Sequence, residues 1–155
     1  MFCHFDKAFW PTDVQYFGYH AQQRGMLAYW LNYTTFSQIP CLVGICSGNA
    51  GAVVDGMSDS AVLAEVTTAL RAMFGSKTPA PKSILCTRWG ADPFAMGAYS
   101  FAANGSSTAD YAQLAQPIRD NVLLAGEHTS TAYRSTVHGA YLSGVRAANS
   151  LLQQL

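Results

Sequence analysis

Asn121-Val-Leu-Leu-Ala-Gly-Glu-His-Thr-Ser-Thr-Ala-Tyr-Arg-Ser-Thr-Val-His-Gly-Ala-Tyr-Leu-Ser-Gly-Val-Arg-Ala-Ala-Asn-Ser-Leu-Leu152 is the stretch from which the rest of the chain is read. The apolar run Val122 to Ala125, stopped by Gly126, has the length and composition of a buried strand. Gly126-Glu127 is then where the chain leaves a sheet. After a polar loop, Ser135 or Thr136 can cap a helix with Val137, Ala140, Tyr141, Val145, Ala148 and Leu152 expected on its inward side. A loop joining a strand end to a helix start is where open α/β sheets take ligands, because helix-terminal N–H groups favour negative charge. Gly139, Ala140, Ser143, Gly144 and Ala147 are small enough to let the helix lie close to a neighbour or to a flat cofactor.

Working outward, the block Thr87-Arg-Trp-Gly-Ala-Asp-Pro-Phe-Ala-Met-Gly-Ala-Tyr-Ser-Phe101 precedes this stretch. Upstream, Phe2 to Trp10, Met26 to Tyr33, Pro40 to Cys46 and Ser83 to Thr87 predict strands bounded by Gly and Pro. Between them Ser58 caps a helix whose apolar face is Val62, Leu63, Val66, Leu70 and Phe74, ended by Gly75. Pro79 and Pro81 make the following segment a linker. Asn104-Gly-Ser-Ser is a turn, and a domain boundary is expected close to Thr108. Ser47-Gly-Asn-Ala-Gly follows a strand, but its glycine spacing is not that of a dinucleotide loop.

Composition narrows the function classes. Half of the 155 residues are hydrophobic, ample for a core, and only 12% are charged against a usual quarter or so. The net charge of zero argues against a nucleic-acid partner or a polybasic membrane contact. No run of about 18 apolar residues predicts a membrane span, and no leader pattern opens the chain, so an intracellular, cytoplasmic setting is the default expectation. Cys3, Cys41, Cys46 and Cys86 form no C-x-x-C pair and read as reduced core thiols. Glu127, His128 and His138 lack metal-site spacing, so no metal is expected. Ser135 and His138 lack the acid and oxyanion hole that a nucleophile pair needs.

The runs Ala125-Gly-Glu-His-Thr, Ser135-Thr-Val-His-Gly-Ala and Leu142-Ser-Gly-Val-Arg-Ala-Ala, with the Trp89 block before them, closely resemble the C-terminal flavin-binding segments of the flavin-containing amine oxidases. Polyamine oxidases, monoamine oxidases and lysine-specific histone demethylases belong to that family. The resemblance implies an α+β fold: residues 1–107 as part of a mixed-sheet substrate domain, and 108–155 as the last strand and helix of a Rossmann-like FAD domain. It implies noncovalent FAD, since Ala98 stands where covalently flavinylated members carry Cys. A hydride equivalent would pass from the carbon bearing nitrogen to the ring, the imine would hydrolyse, and oxygen would leave as hydrogen peroxide.

By the same resemblance Trp89 and Phe94 pack against the flavin, and Gly126 and Glu127 reach its ribityl and phosphate portion. The Thr136-Val137 backbone faces the pyrimidine edge. Tyr99 is an aromatic wall before the ring with Thr136 opposite, and these two are the expected catalytic-site residues. One aromatic wall and a small Thr leave room for a bulky amine, so a polyamine is the expected substrate and a methylated lysine the alternative. The family's G-x-G-x-x-G turn and its active-site lysine segment are not among these residues. The chain therefore reads as a C-terminal portion that needs the missing N-terminal part or a complementary chain to hold FAD and turn over, or else as a noncatalytic remnant. The nucleus and the peroxisome are compatible locations.

Overall fold

Alternating burial along short strands shows which side of the first sheet is core. In the computed structural model, which describes residues 1–119 and 122–153, five strands run β1 Phe2–His4, β2 Tyr16–Gly18, β3 Tyr29–Asn32, β4 Cys41–Ile45 and β5 Ser83–Leu85, in the order β2-β3-β4-β1-β5. Cys3, Trp30 and Leu42 are buried, whereas Phe2 and Tyr29, next to the first two in sequence, and Ile45, at the end of β4, are exposed. The register explains the split: Phe2 pairs with Val43 and Leu85, and Tyr29 with Ile45, so these side chains share the face opposite the core.

Helix α2, Asp59–Phe74, supplies the second layer. Ser58 caps it by accepting the Ala61 N–H at 3.2 Å, and Gly75 ends it at φ +100°, where a side chain would be strained. Its buried Val62, Val66, Ala69 and Leu70 join Cys3, Trp30 and Leu42 in one core with Phe5, Trp10 and Leu27. Trp10 donates to buried Asn32 at 2.9 Å, and Asn32 donates to the carbonyls of Pro11 and Val14, which ties the loop after β1 to β3. A short helix α1, Asn49–Asp55, precedes α2. The four cysteines are free, and burial pushes the Cys3 thiol up to about 12.

The described chain divides into two compact units, Met1–Met96 and Gly97–Leu155. The second contains helix α3, Thr108–Leu114, opened by a Ser107–Asp110 capping box, a 3-10 turn at Glu127–Thr129, and helix α4, Val137–Leu152.

Four expectations change. The sheet is antiparallel in every pairing rather than mixed: short connections turn β2, β3 and β4 back on one another, and β1 lies between β4 and β5 and runs against both. The first strand is short: pairing stops at His4, and Trp10 is buried as a core anchor of the loop. Val122 to Ala125 is no buried strand; among the described residues its one bridge is Ile118 with Val122, and Val122 is 47% exposed. A run with no neighbouring strand in its own unit cannot build a ladder. Asn121, the first residue of the stretch, lies outside the described residues.

The fourth change concerns α4. Val137, Tyr141, Val145 and Leu152 point outward, and the buried positions are Gly139 and Ser143. Docking by the small, polar side follows from contacts that only small residues allow: a Cβ on Gly139 would collide with the Tyr133 carbonyl oxygen. Arg146, on the same side, donates to the carbonyls of Ala115 and Leu124 and to the Thr129 hydroxyl. The apolar stripe read from the sequence is therefore the helix's uncovered side.

Candidate functional site

In the first unit the aromatic block is held by its polar residues. Arg88 donates to the Met57 carbonyl at 3.0 Å and to Asp59 at 2.7 Å, and the Gly90 N–H donates to Asp55 at 3.0 Å. Both anchors lie at the α1–α2 junction, one on each side of Trp89 in sequence. Trp89 is half exposed. Farther along, Asp92 accepts the N–H groups of Phe94 and Ala95 at 2.9 and 2.8 Å, an Asx-type turn that leaves Phe94 97% exposed. Such an aromatic presents its whole face for covering.

In the second unit the chemistry gathers at Glu127. Its Oε1 accepts the Ser100 N–H at 2.7 Å, while Oε2 accepts the Ser100 hydroxyl at 2.7 Å and the Ser135 N–H at 2.6 Å. The Ser135 hydroxyl returns a bond to the Ser100 carbonyl at 2.6 Å. Burial raises the Glu127 pKa, but these donors and neighbouring His128 outweigh it and hold the carboxyl below its ordinary value. Ser100 follows Tyr99 and Ser135 precedes Thr136, so the two expected walls sit on backbone bound to one carboxylate. Ser135 has φ +59°, a left-handed conformation that non-glycine residues keep only when their surroundings fix it.

Gly126 is the hinge of this arrangement. At φ +141° a side chain here would be strained, and a Cβ would also displace the His128 ring. Its N–H donates to the Ser143 hydroxyl at 2.7 Å, and its carbonyl accepts from the Thr129 hydroxyl at 2.8 Å. Across the loop, Arg134 lies 5.2 Å over the buried Tyr111 ring. Thr136 caps α4 by accepting the Gly139 N–H at 3.0 Å, which leaves the Val137 and His138 N–H groups without a partner among the described residues. Val137 is 88% and Tyr99 66% exposed.

Those open groups are the test of a flavin here. Two unpartnered N–H groups at the head of a 16-residue helix suit an electron-rich ring edge, and the exposed face of Tyr99 in the same unit suits a flat apolar one. Ala98 offers no nucleophile for a covalent link. The residues present fit the group.

The structure thus brings Tyr99, Gly126, Glu127, Thr136 and Val137 into one unit, with Trp89 and Phe94 in the other. The sequence reading missed Ser100 and the double role of Ser135. Ser135 spends its hydroxyl on the Ser100 carbonyl, and the His138 ring packs edge-on against Tyr133 at 4.8 Å. Among the described residues no three His, Cys, Asp or Glu side chains cluster as metal ligands. A groove of about 350 Å³ beside Arg146 and Leu142 is lined by none of the expected site residues.

Comparison with known proteins shows the family. The pattern of the family described as flavin-containing amine oxidoreductase matches residues 1–152. The chain is 35% identical, over 95% of its length, to a possible lysine-specific histone demethylase 1 of Drosophila melanogaster, covering 18% of that protein. It is 36% identical over 96% of its length to lysine-specific histone demethylase 1 homolog 2 of Arabidopsis thaliana, covering 21% of it. To histone demethylase-like protein A of Aspergillus fumigatus it is 32% identical over 97% of its length, covering 15%. The chain spans about a fifth or less of each of these relatives.

Proposed function

Since the chain belongs to the flavin-containing amine oxidoreductases, we propose that it forms the flavin-facing and substrate-facing portion of an FAD-dependent oxidase acting on the C–N bond of an amine. The observation that carries this reading is the head of α4, where two unpartnered N–H groups stand beside the Thr136 cap. The flavin, when bound, supplies the two-electron acceptor for the hydride that leaves the carbon bearing nitrogen, with oxygen later reduced to hydrogen peroxide.

The Val137 and His138 N–H groups would hold the pyrimidine edge and, with the helix dipole, would favour negative charge there. Gly126, with no side chain, lets the ribityl portion approach the backbone, and Glu127 has one acceptor position left for a hydroxyl after its three protein donors. Trp89 and Phe94, exposed in the first unit, would supply aromatic faces for the ring. Tyr99 offers its face to the amine and Thr136 stands opposite, a small residue that leaves room for a bulky substituent. Ala98 makes the cofactor noncovalent. Residues 1–107 belong to the substrate domain, and 108–155 close a Rossmann-like FAD domain whose dinucleotide turn lies outside these 155 residues, on a connected or complementary chain.

A methylated lysine is the substrate class we favour, on a single ground: the relatives named above are lysine-specific histone demethylases or resemble them. The polyamine expected from the size of the Tyr99–Thr136 opening has no such support. The same relatives favour a nuclear setting, and no helix of the described residues is long and apolar enough to cross a membrane. The experiment is a graft of residues 1–152 into the Arabidopsis relative in place of its aligned segment, followed by a peroxide assay. Peroxide from a dimethyl-lysine peptide and little from a polyamine is the expected outcome. The reverse preference would restore the polyamine, and a folded, flavin-loaded graft inert to both would leave a noncatalytic remnant.

A further inference from the structure

Glu127 does more within the protein than a cofactor contact requires. Three donors converge on one carboxylate from two segments far apart in sequence, Ser100 and Ser135, and a fourth bond from the Ser135 hydroxyl to the Ser100 carbonyl closes the ring. All four bonds are 2.6 or 2.7 Å long, the short range expected when an ionised acceptor or a well-aligned hydroxyl is involved. Glu127 itself is fixed from below: Gly126 is bonded to Ser143 of α4, and the 3-10 turn is tied to Arg146 through Thr129. The carboxylate is thus mounted on the same helix whose head carries Thr136.

We propose that Glu127 is a positioning residue, a latch that holds the Tyr99 segment to the head of α4 so that Tyr99 and Thr136 keep a fixed separation. The inference rests on the reading of these two residues as the walls of an amine site. Ser135 supports it independently: its left-handed backbone persists because both its N–H and its hydroxyl are engaged in the ring. A glutamate serving only as a cofactor contact would not need Ser100 and Ser135 to turn their donors inward.

The latch makes a prediction that needs neither flavin nor substrate, so its failure is distinguishable from a failure of the amine-oxidase reading on which it rests. Amide hydrogen exchange is followed by NMR on the 155-residue chain and on Glu127→Ala, Glu127→Gln and Ser135→Ala. In Glu127→Ala the Ser100 and Ser135 amides, bonded to different oxygens, are expected to lose protection together, by about tenfold or more, as hydrogen bonds to a charged acceptor are removed. The α4 amides beyond Ser143 should keep theirs. Glu127→Gln retains one acceptor oxygen and should restore protection at one of the two amides. Ser135→Ala should loosen Ser100 by a smaller factor with the Glu127 bonds kept. Loss at one amide alone in Glu127→Ala, or equal loss along the whole of α4, would overturn the latch, and so would unchanged exchange at both. Should Glu127→Ala fail to fold, the Glu127→Gln and Ser135→Ala patterns decide the matter by the same criteria.

Discussion

Ionisation of Glu127 links its hydrogen bonds to pH. Burial raises its pKa, and the donors of Ser100 and Ser135 with His128 lower it further than burial raises it, so the folded value lies below the ordinary 4.5. For a carboxyl with a depressed folded pKa, the stabilisation is complete above the unfolded value and fades as pH falls through the folded one. Thermal melts of the parent chain and of Glu127→Gln should therefore differ most at neutral pH and converge below about pH 4.5. A melting difference that stays constant down to strongly acidic pH would remove charge from the explanation. At this scale the helix cap at Ser135 or Thr136 was readable from residue type and position, whereas the aromatic block and Glu127 were singled out only by the family resemblance. The partners of Glu127 were not readable, because a bond between Ser100 and Glu127 depends on tertiary folding that periodicity does not encode.

Element by element, sequence and structure agree where one physical cause dominates. Ser58, the stripe of Val62, Val66 and Leu70, and Gly75 specify α2 from cap to stop, and α2 forms over Asp59–Phe74. Helix α4 also forms, but the sequence misjudges its buried side. Hydrophobic periodicity says which residues could be covered, whereas close approach at Gly139 and the bonds of Ser143 and Arg146 decide which are. Two glycines of the same helix separate these causes. Gly139→Ala places a methyl against the Tyr133 carbonyl and should destabilise by about 1–3 kcal/mol or more, as overpacking against backbone does. Gly144→Ala meets nothing within 4 Å and should stabilise by about 0.5–1 kcal/mol through helix propensity. Chemical denaturation of the two variants checks the contrast; equal effects would mean that α4 does not dock through Gly139. The run Val122 to Ala125 failed for the complementary reason, since a strand's existence depends on a neighbour that its own sequence cannot supply.

For the molecule as a whole, large apolar side chains stay exposed in both units: Phe94 and Met96 in the first, Phe101, Val137 and Tyr141 in the second. A low charge content and such exposure fit a chain whose apolar surface is meant to be covered, as the proposed flavin and dinucleotide fold would cover it. The α+β class was legible because helical and alternating patterns occupy separate stretches. The strand directions were not, since nothing in an isolated strand records whether its neighbour runs with or against it. Flavin retention tests the central proposal most directly. The chain alone, and the relative carrying it as a graft, would each be mixed with FAD and desalted, and their visible spectra recorded. The expected result is no retained flavin band with the 155 residues alone and a stoichiometric, shifted band in the graft that weakens when Val137 is replaced by Pro, which removes the donor at the head of α4. A folded graft without flavin, or one whose band is indifferent to Val137→Pro, would contradict the assignment of this helix head to the cofactor.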